Sequence, residues 1–159
     1  MACRLAPAHV MVRRRRVPRK AGRVIAGIGV DLVSIPRFRE LLERRGDAVL
    51  RRFFTEAEAE RCRQSRSALE SFAARFAAKE AFFKALGTGW GLGGRWTEVE
   101  VVSAPSGAPG LRLTGRAAEA AAGRGVTAIH LSLTHTDDTA AAFVVLERQG
   151  GVVVAGRPL

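Results

Sequence analysis

Apolar residues before residue 90 recur mainly at helical spacing, whereas those after residue 95 fall into short runs typical of strands. The clearest helical pattern covers Ala68–Leu86, which is rich in alanine and meets Gly87 as a C-terminal stop. Predicted strands cover Trp96–Val102, Leu111–Leu113, Ile129–Leu133 and Ala140–Glu147, with a short alanine-rich helix after Thr114. Because helices come early and strands late, we expect an α+β fold in which helices pack on an antiparallel sheet.

The N-terminal part of this pattern supplies one strand and two further helices. Val24–Val33, an apolar run with β-branched residues and two glycines, predicts a buried strand with Asp31 at its polar far end. A helix is expected to begin after Ser34 and to end at Gly46. In Phe54–Glu58, FTEAE, the threonine and the second glutamate have capping-box spacing and predict the start of another helix.

Length and composition limit the chain to one domain with short flanking segments. The 159 residues are 47% hydrophobic and 26% charged, values typical of a folded protein with a real core. The longest apolar run, Ala140–Leu146, is too short to span a bilayer. We expect an Arg-rich, disordered extension over residues 1–23, a folded domain over residues 24–148 and a C-terminal tail over residues 149–159.

The net charge of +11 is concentrated in the first 23 residues, which hold eight basic residues and no acidic one. Such a segment favours nucleic acid or an anionic surface, but a solvated tail or a misassigned start is the commoner explanation. The folded part lacks RNA-binding aromatic and helix-turn-helix patterns, so we do not expect a nucleic-acid partner. Cys3 and Cys62 are too isolated for a disulfide framework or a zinc site, and they indicate a reducing, cytoplasmic location.

Two acidic residues lie where burial makes a carboxylate costly. Asp31 ends an apolar strand, and Glu80 lies between alanine and phenylalanine residues on the long helix. One interpretation is structural, because Glu80 and Lys84 have the i,i+4 spacing of a helical ion pair on a solvated face. The other is functional: the two carboxylates form the sparse ligand set that Mg²⁺ prefers, while Arg75 and Lys84 bind phosphate. Spacing alone leaves both interpretations open.

Two further features are weaker indications of phosphate chemistry. His135, in the segment SLTHT at a predicted strand end, is either a structural histidine or one that holds a phosphate together with neighbouring hydroxyls. Leu86–Gly89, just past the long helix, is either a flexible loop or an ordinary helix C-cap. The chain lacks GxSxG, a Walker A loop and paired cysteines, so serine hydrolases, P-loop NTPases and zinc deaminases are not supported.

Four segments, taken in order, closely resemble a known family. They are GIGVDLVSIPR (Gly27–Arg37), FTEAE (Phe54–Glu58), RFAAKEAFFKALGTG (Arg75–Gly89) and SLTHT (Ser132–Thr136). From about Val24 to Glu147 the chain is similar to the holo-(acyl-carrier-protein) synthases, the small 4′-phosphopantetheinyl transferases. This resemblance implies transfer of the 4′-phosphopantetheine arm of coenzyme A to a serine of apo acyl carrier protein, with release of adenosine 3′,5′-bisphosphate. It also implies a place in fatty acid, lipid or polyketide biosynthesis.

The resemblance implies roles for particular residues as well. Asp31 and Glu80 match the carboxylates that bind Mg²⁺, or alternatively Mn²⁺, and with Lys84 they form the expected catalytic set. Glu80, or a water that it positions, is the expected base for the incoming serine. The residues expected to hold coenzyme A are Arg75, Lys84, Gly87, Thr88, Thr134 and His135.

Partner contacts and assembly are further expectations from the family. Arg37 on the first helix matches its basic carrier-contact position, and Arg44 and Arg45 extend this surface toward an acidic acyl carrier protein. Members resemble one another in forming homotrimers with active sites at subunit interfaces. Ala108 stands where many members carry a lysine, so one coenzyme A contact of the family is not expected here.

Overall fold

The computed structural model describes residues 22–89 and 91–150, in which one long helix lies on a three-stranded antiparallel sheet. The helices are α1 (Ile35–Arg45), α2 (Asp47–Phe53), α3 (Glu56–Arg63), α4 (Ala68–Leu86) and α5 (Gly115–Gly123). The strands are β1 (Arg23–Ser34), β2 (Val99–Ser103), β3 (Pro109–Leu113), β4 (Val126–His135) and β5 (Thr139–Gln149). This arrangement confirms the predicted α+β class with an antiparallel sheet and packed helices.

The larger sheet has the strand order β1–β5–β4, and both neighbouring pairs are antiparallel. Its register places Asp31 of β1 beside Ala142 of β5, which pairs in turn with Leu133 of β4. Strands β2 and β3 form a separate antiparallel pair. Because β1 and β4 run in the same direction on either side of β5, Asp31 and His135 lie toward the same end of the sheet but on opposite edges.

The sheet approaches α4 most closely along β1, where two glycines leave room for the helix backbone. A Cβ added at Gly27 would overlap the carbonyl oxygen of Ala85, and one added at Gly29 would overlap that of Ala81. A larger residue at either position would push the strand and the helix apart. Since side chains alternate along a strand, Asp31 lies on the same side of β1 as the two glycines, toward α4. This backbone contact sets the position of the carboxylate relative to the helix.

An aromatic cluster extends the hydrophobic core from α4 to the loops beside it. Trp96 begins a short 3₁₀ helix, and its ring contacts those of Phe53, Phe76 and Phe83, with centroid separations of 5.0, 5.2 and 5.5 Å. Phe83 is fully buried on the long helix, and Phe53 ends α2. The rings therefore join α2, α4 and the segment that leads into β2.

Most predicted elements are confirmed, and the differences are local. The long helix α4 has the predicted bounds, and Thr55 and Glu58 form the predicted capping box at the start of α3. The sequence predicts a strand from residue 96, but the segment begins with the 3₁₀ helix, and β2 starts only at Val99. Strand β1 ends at Ser34, and the prediction of a buried strand is wrong, because β1 lies at the sheet edge with one face exposed. The sequence does not predict α2, whose seven residues are too few to show a clear helical period.

Some expectations fall on residues outside the described ranges. Most of the Arg-rich extension, Cys3 and nearly all of the C-terminal tail lie there, so the domain boundaries stay a prediction. Within the described ranges, Cys62 is a free thiol and is completely buried. Among the described helices, none combines the length and the apolar character that crossing a bilayer requires.

Candidate active site

Asp31, Glu80 and Lys84 come together where β1 meets the second half of α4. Lys84 Nζ donates to Asp31 Oδ1 at 2.6 Å and to the carbonyl oxygen of Val30 at 3.1 Å. The ion pair of Lys84 is therefore with the strand carboxylate, whereas i,i+4 spacing on the helix favours one with Glu80. The Asp31 side chain is 13% exposed and that of Lys84 is 52% exposed, so the pair lies at the rim of the core.

Glu80 lies one helical turn before Lys84 and is influenced by both of its charged neighbours. Partial burial raises the pKa of the Glu80 carboxyl, the nearby Asp31 carboxylate raises that pKa further, and Lys84 partly opposes both effects. A carboxyl whose pKa is raised by burial and by a neighbouring carboxylate is typical of a site that takes up a cation or a proton. These influences distinguish Glu80 from a carboxylate on an ordinary solvated helix face.

A groove of about 590 Å³ opens beside the two carboxylates, between β1, α1 and α4. Arg37, exposed in the first turn of α1, lines it together with the carboxylates. The apolar part of the lining includes Phe38, Leu41 and Phe76. The groove thus combines charged groups with an apolar wall and suits a partner that carries both kinds of group.

The other two predicted carrier-contact residues lie at the far end of α1. Arg44 and Arg45 are exposed in its last turn, about 10 Å along the helix axis from Arg37. Arg44 Nη2 lies 4.0 Å from Glu40 Oε2. Neither residue lines the groove, so Arg44 and Arg45 extend the basic side of the helix away from the carboxylates.

Arg75 is almost completely buried near the start of α4. Its Nη1 donates to Ser71 Oγ at 2.6 Å and to the Ser71 carbonyl oxygen at 3.2 Å. Within the described part of the chain, its Nε is a buried side-chain nitrogen without a hydrogen-bond partner. A buried guanidinium with an unused donor favours an additional acceptor, and a phosphate oxygen would supply one.

Gly87 and Thr88 end α4 and begin the glycine-rich loop. Gly87 adopts a φ of 67°, the left-handed conformation that favours glycine at a helix C-cap. Thr88 Oγ1 donates to the carbonyl oxygen of Gly89 at 3.2 Å. The Arg124 guanidinium lies against Gly87, with Nη1 3.1 Å from the place that a Cβ would occupy. Sequence reasoning missed this cation, because only the fold brings the end of α5 to the end of α4.

Thr134 and His135 are exposed at the end of β4, on the opposite edge of the sheet from Asp31. Strand β5 lies between β1 and β4, so these two edge strands are about 10 Å apart. Neither residue lines the groove beside the carboxylates. Within one chain, the structure brings Asp31, Glu80 and Lys84 together and leaves Thr134 and His135 at a distance.

The two carboxylates fit a divalent cation that takes few protein ligands. Within residues 22–89 and 91–150, no group of three or more His, Cys, Asp and Glu side chains is arranged to hold a metal ion. A protein cage of the kind that zinc requires is therefore not formed there. Mg²⁺ instead keeps several waters and takes one or two carboxylates plus phosphate oxygens. Asp31 and Glu80 line the same groove, and Asp31 raises the pKa of Glu80, which fits a shared cation.

A second charged pair, Glu58 and Lys79, is completely buried behind the site. Lys79 Nζ donates to Glu58 Oε2 at 2.6 Å, to the Phe53 carbonyl oxygen at 2.7 Å and to that of Trp96 at 3.1 Å. Glu58 Oε1 accepts from the backbone N–H of Val101 at 2.8 Å. Burial lowers the pKa of Lys79, and Glu58 opposes that effect. The pair connects α4 to α3, to the end of α2 and to β2. Its lysine directly precedes Glu80 of the site in the sequence.

Comparison with known proteins gives the class to which this fold and site belong. A family model described as the 4′-phosphopantetheinyl transferase superfamily matches residues 27–144, well over half of the chain. The matched segment includes Asp31, Glu80, Lys84 and His135. The chain therefore belongs to the 4′-phosphopantetheinyl transferase superfamily.

Individual relatives narrow this class. The holo-(acyl-carrier-protein) synthase of Desulforudis audaxviator is 54% identical over 122 residues, which cover 77% of this chain and 92% of the relative. The crystal structure of the Neisseria meningitidis synthase matches with a TM-score of 0.74 at 33% identity, covering 79% of this chain and all of that one. The Helicobacter pylori synthase, solved in complex with coenzyme A, gives a TM-score of 0.67 at 30% identity over 75% of this chain and 98% of its own. The chain is a transferase of the holo-(acyl-carrier-protein) synthase type.

Proposed function

We propose that this chain transfers the 4′-phosphopantetheine group of coenzyme A to a serine hydroxyl of apo acyl carrier protein and releases adenosine 3′,5′-bisphosphate. The observation that carries the proposal is the meeting of Asp31, Glu80 and Lys84 at the edge of a groove. A relative of the same type has been solved with coenzyme A, which supports this donor. In the reaction, a P–O bond of the pyrophosphate breaks and a phosphodiester to the serine oxygen forms.

Residues of α4 and of the loop after it are proposed to bind the donor. Lys84 is half-exposed beside the carboxylates, so its ammonium can reach a pyrophosphate oxygen. Arg75 offers a buried Nε without a partner, and a phosphate oxygen would satisfy it. Gly87 and Thr88 are proposed to line the adenosine side, where the Arg124 guanidinium lies against the glycine.

Asp31 and Glu80 would hold the Mg²⁺ or Mn²⁺ ion that the family implies. When bound, such an ion supplies positive charge that offsets the charge developing on the phosphate oxygens. Glu80 has a second proposed role, as the base that the incoming serine hydroxyl requires within hydrogen-bond reach. The proton of the serine hydroxyl passes to the Glu80 carboxylate, directly or through one water, as the serine oxygen attacks phosphorus.

The direct test is the intact mass of purified apo acyl carrier protein after incubation with this chain, coenzyme A and Mg²⁺. The expected result is a mass gain of one phosphopantetheine arm, which disappears when EDTA removes the metal or when coenzyme A is omitted. A chain that starts at residue 23 should give the same gain, because we propose residues 24–148 as the transferase domain. The absence of a gain with several apo carriers would contradict the proposed function.

The proposed setting follows from the proposed substrates. Coenzyme A and apo acyl carrier protein meet in the cytoplasm, so we propose that the enzyme acts there. Its product would serve fatty acid, lipid or polyketide biosynthesis, the processes that use carrier proteins. No nucleic-acid partner is required for this function, since the segment matched by the family model starts after the Arg-rich extension.

Reversal of the charge at Arg37 is expected to raise the apparent KM for acyl carrier protein roughly tenfold and to leave that for coenzyme A unchanged. Arg37→Glu places a negative charge on the groove, which then repels an acidic carrier. Steady-state kinetics with each substrate varied in turn measures the effect. Arg116→Glu, an equal change at an exposed position of α5, is the matched control. Equal increases in both KM values would contradict carrier docking at Arg37.

We also propose a homotrimer with active sites at subunit interfaces. An apolar strip supports this, since Ile28, Val30, Leu32 and Phe143 are 54%, 46%, 68% and 45% exposed on the sheet face away from α4. Such a strip marks a surface that another copy of the chain can cover. A neighbouring copy could also bring its His135 to the carboxylates. Light scattering is expected to give three times the chain mass of 17.1 kDa, and a monomeric mass would contradict the assembly.

A further inference from the structure

The ion pair between Lys84 and Asp31 joins a residue proposed to bind phosphate with one proposed to bind metal. Lys84 Nζ donates to Asp31 Oδ1 at 2.6 Å and to the Val30 carbonyl oxygen at 3.1 Å, so β1 uses two of the three ammonium protons. One carboxylate cannot hold an ammonium at this distance and a divalent cation without strong repulsion between the two positive charges. Lys84 and a metal ion therefore compete for Asp31.

We propose that Lys84 is a displaceable counter-ion of Asp31, which disfavours metal binding in the ligand-free chain and leaves the carboxylate when a phosphate group of the donor arrives. This inference rests on the proposed function and deepens it, because Lys84 then controls the order in which the metal and the donor bind. The donor removes a competitor from Asp31, so it strengthens metal binding. By thermodynamic linkage, the metal strengthens donor binding by the same factor.

The freedom that this exchange requires belongs to Lys84. Its side chain is 52% exposed on a flexible stem in the last turn of α4, so the ammonium can turn to solvent or to a ligand without disturbing the core. Asp31 is 13% exposed on a strand that Gly29 holds against α4. The Lys84–Asp31 pair differs from the permanent structural pair of Glu58 and Lys79. Both of those residues are completely buried, and each forms further hydrogen bonds.

The charges of the three groups explain why a competitor that can leave is useful. Asp31, Glu80 and Lys84 together carry one negative charge in excess, which keeps the ligand-free site near balance. A divalent cation added beside a bound Lys84 would leave one positive charge in excess. The anionic phosphates of the donor offset that excess and at the same time give the ammonium a new partner.

The test measures binding of Mn²⁺ to the full chain from the electron paramagnetic resonance signal of free Mn²⁺, with and without coenzyme A. Lys84→Met and Lys84→Gln both remove the ammonium, and two variants guard against a folding defect in one. Arg112→Gln is the matched control, because Arg112 Nη1 also forms an exposed ion pair, 3.3 Å from Glu100 Oε2, away from the site. Circular dichroism confirms that each variant is folded.

Without coenzyme A, both Lys84 variants are expected to bind Mn²⁺ roughly fivefold more tightly than the wild-type chain, and the control variant equally tightly. Coenzyme A should strengthen Mn²⁺ binding by a larger factor in the wild-type chain than in the Lys84 variants. Unchanged or weaker Mn²⁺ binding in both Lys84 variants would overturn this inference, even where the wild-type chain shows EDTA-sensitive transfer. A wild-type chain without EDTA-sensitive transfer and without Mn²⁺ binding would overturn the proposed function together with it.

Discussion

Glu80→Gln is expected to lower the turnover of phosphopantetheine transfer by about 10²–10⁴-fold, the range typical of losing a positioned acid or base. The amide cannot accept the proton of the serine hydroxyl, and it removes one of the two negative charges proposed to hold the cation. Glutamine has nearly the same shape, and Glu80 is only partly buried, so the fold should persist. Turnover is measured by intact mass at saturating coenzyme A and carrier protein, with circular dichroism as the check on folding.

The control for this experiment is Glu119→Gln, the same chemical change at an exposed position of α5. It should retain wild-type turnover, because Glu119 lies on a helix that does not line the groove. Near-normal turnover of a folded Glu80→Gln variant would exclude Glu80 both as the base and as an essential ligand. Another group would then have to take the serine proton.

Lys79→Met is expected to lower the free energy of unfolding by about 3–5 kcal/mol, the usual cost of breaking a buried ion pair. The substitution leaves the carboxylate of Glu58 in the core without its cation, and it removes the donor shared by the carbonyl oxygens of Phe53 and Trp96. Urea unfolding followed by circular dichroism measures the change. A loss of this size is a large part of the stability of a small domain.

Two variants separate charge burial from other causes of this loss. Combining Glu58→Gln with Lys79→Met removes both charges and keeps an acceptor for the backbone N–H of Val101, so part of the stability should return. Arg112→Gln breaks an exposed ion pair and should cost less than about 1 kcal/mol. A Lys79→Met effect as small as that of Arg112→Gln would show that the buried pair does not stabilise the fold.

The parts of the fold that could be predicted are those with local signals. The spacing of apolar residues and the glycine stop define α4, and the capping box at Thr55 and Glu58 is formed by residues three positions apart. The start of β2 could not be predicted in this way. The ring of Trp96 packs among phenylalanines from α2 and α4, and the apolar pattern around it gives no sign of this tertiary contact.

The candidate site shows the same division. Asp31 and Glu80 could be singled out because a carboxylate inside an apolar pattern is costly. The ion-pair partner of Lys84 could not be predicted, since i,i+4 spacing favours Glu80. In the structure β1 lies close to α4, and the partner is therefore Asp31. The complete burial of Lys79 could not be predicted either, because an isolated lysine in a sequence gives no sign of whether core atoms surround it.

Gly27 and Gly29 contact the backbone of α4, and this contact sets how far apart the main chain holds Asp31 and Glu80. Neither carboxylate lies on a loop, so ligand binding needs little reorganisation of either one. The backbones that carry the two groups can separate only when the sheet detaches from its helix, which amounts to unfolding. Heat should therefore abolish the preorganised site and the native structure in one cooperative event, and moderate warming should not loosen the site beforehand.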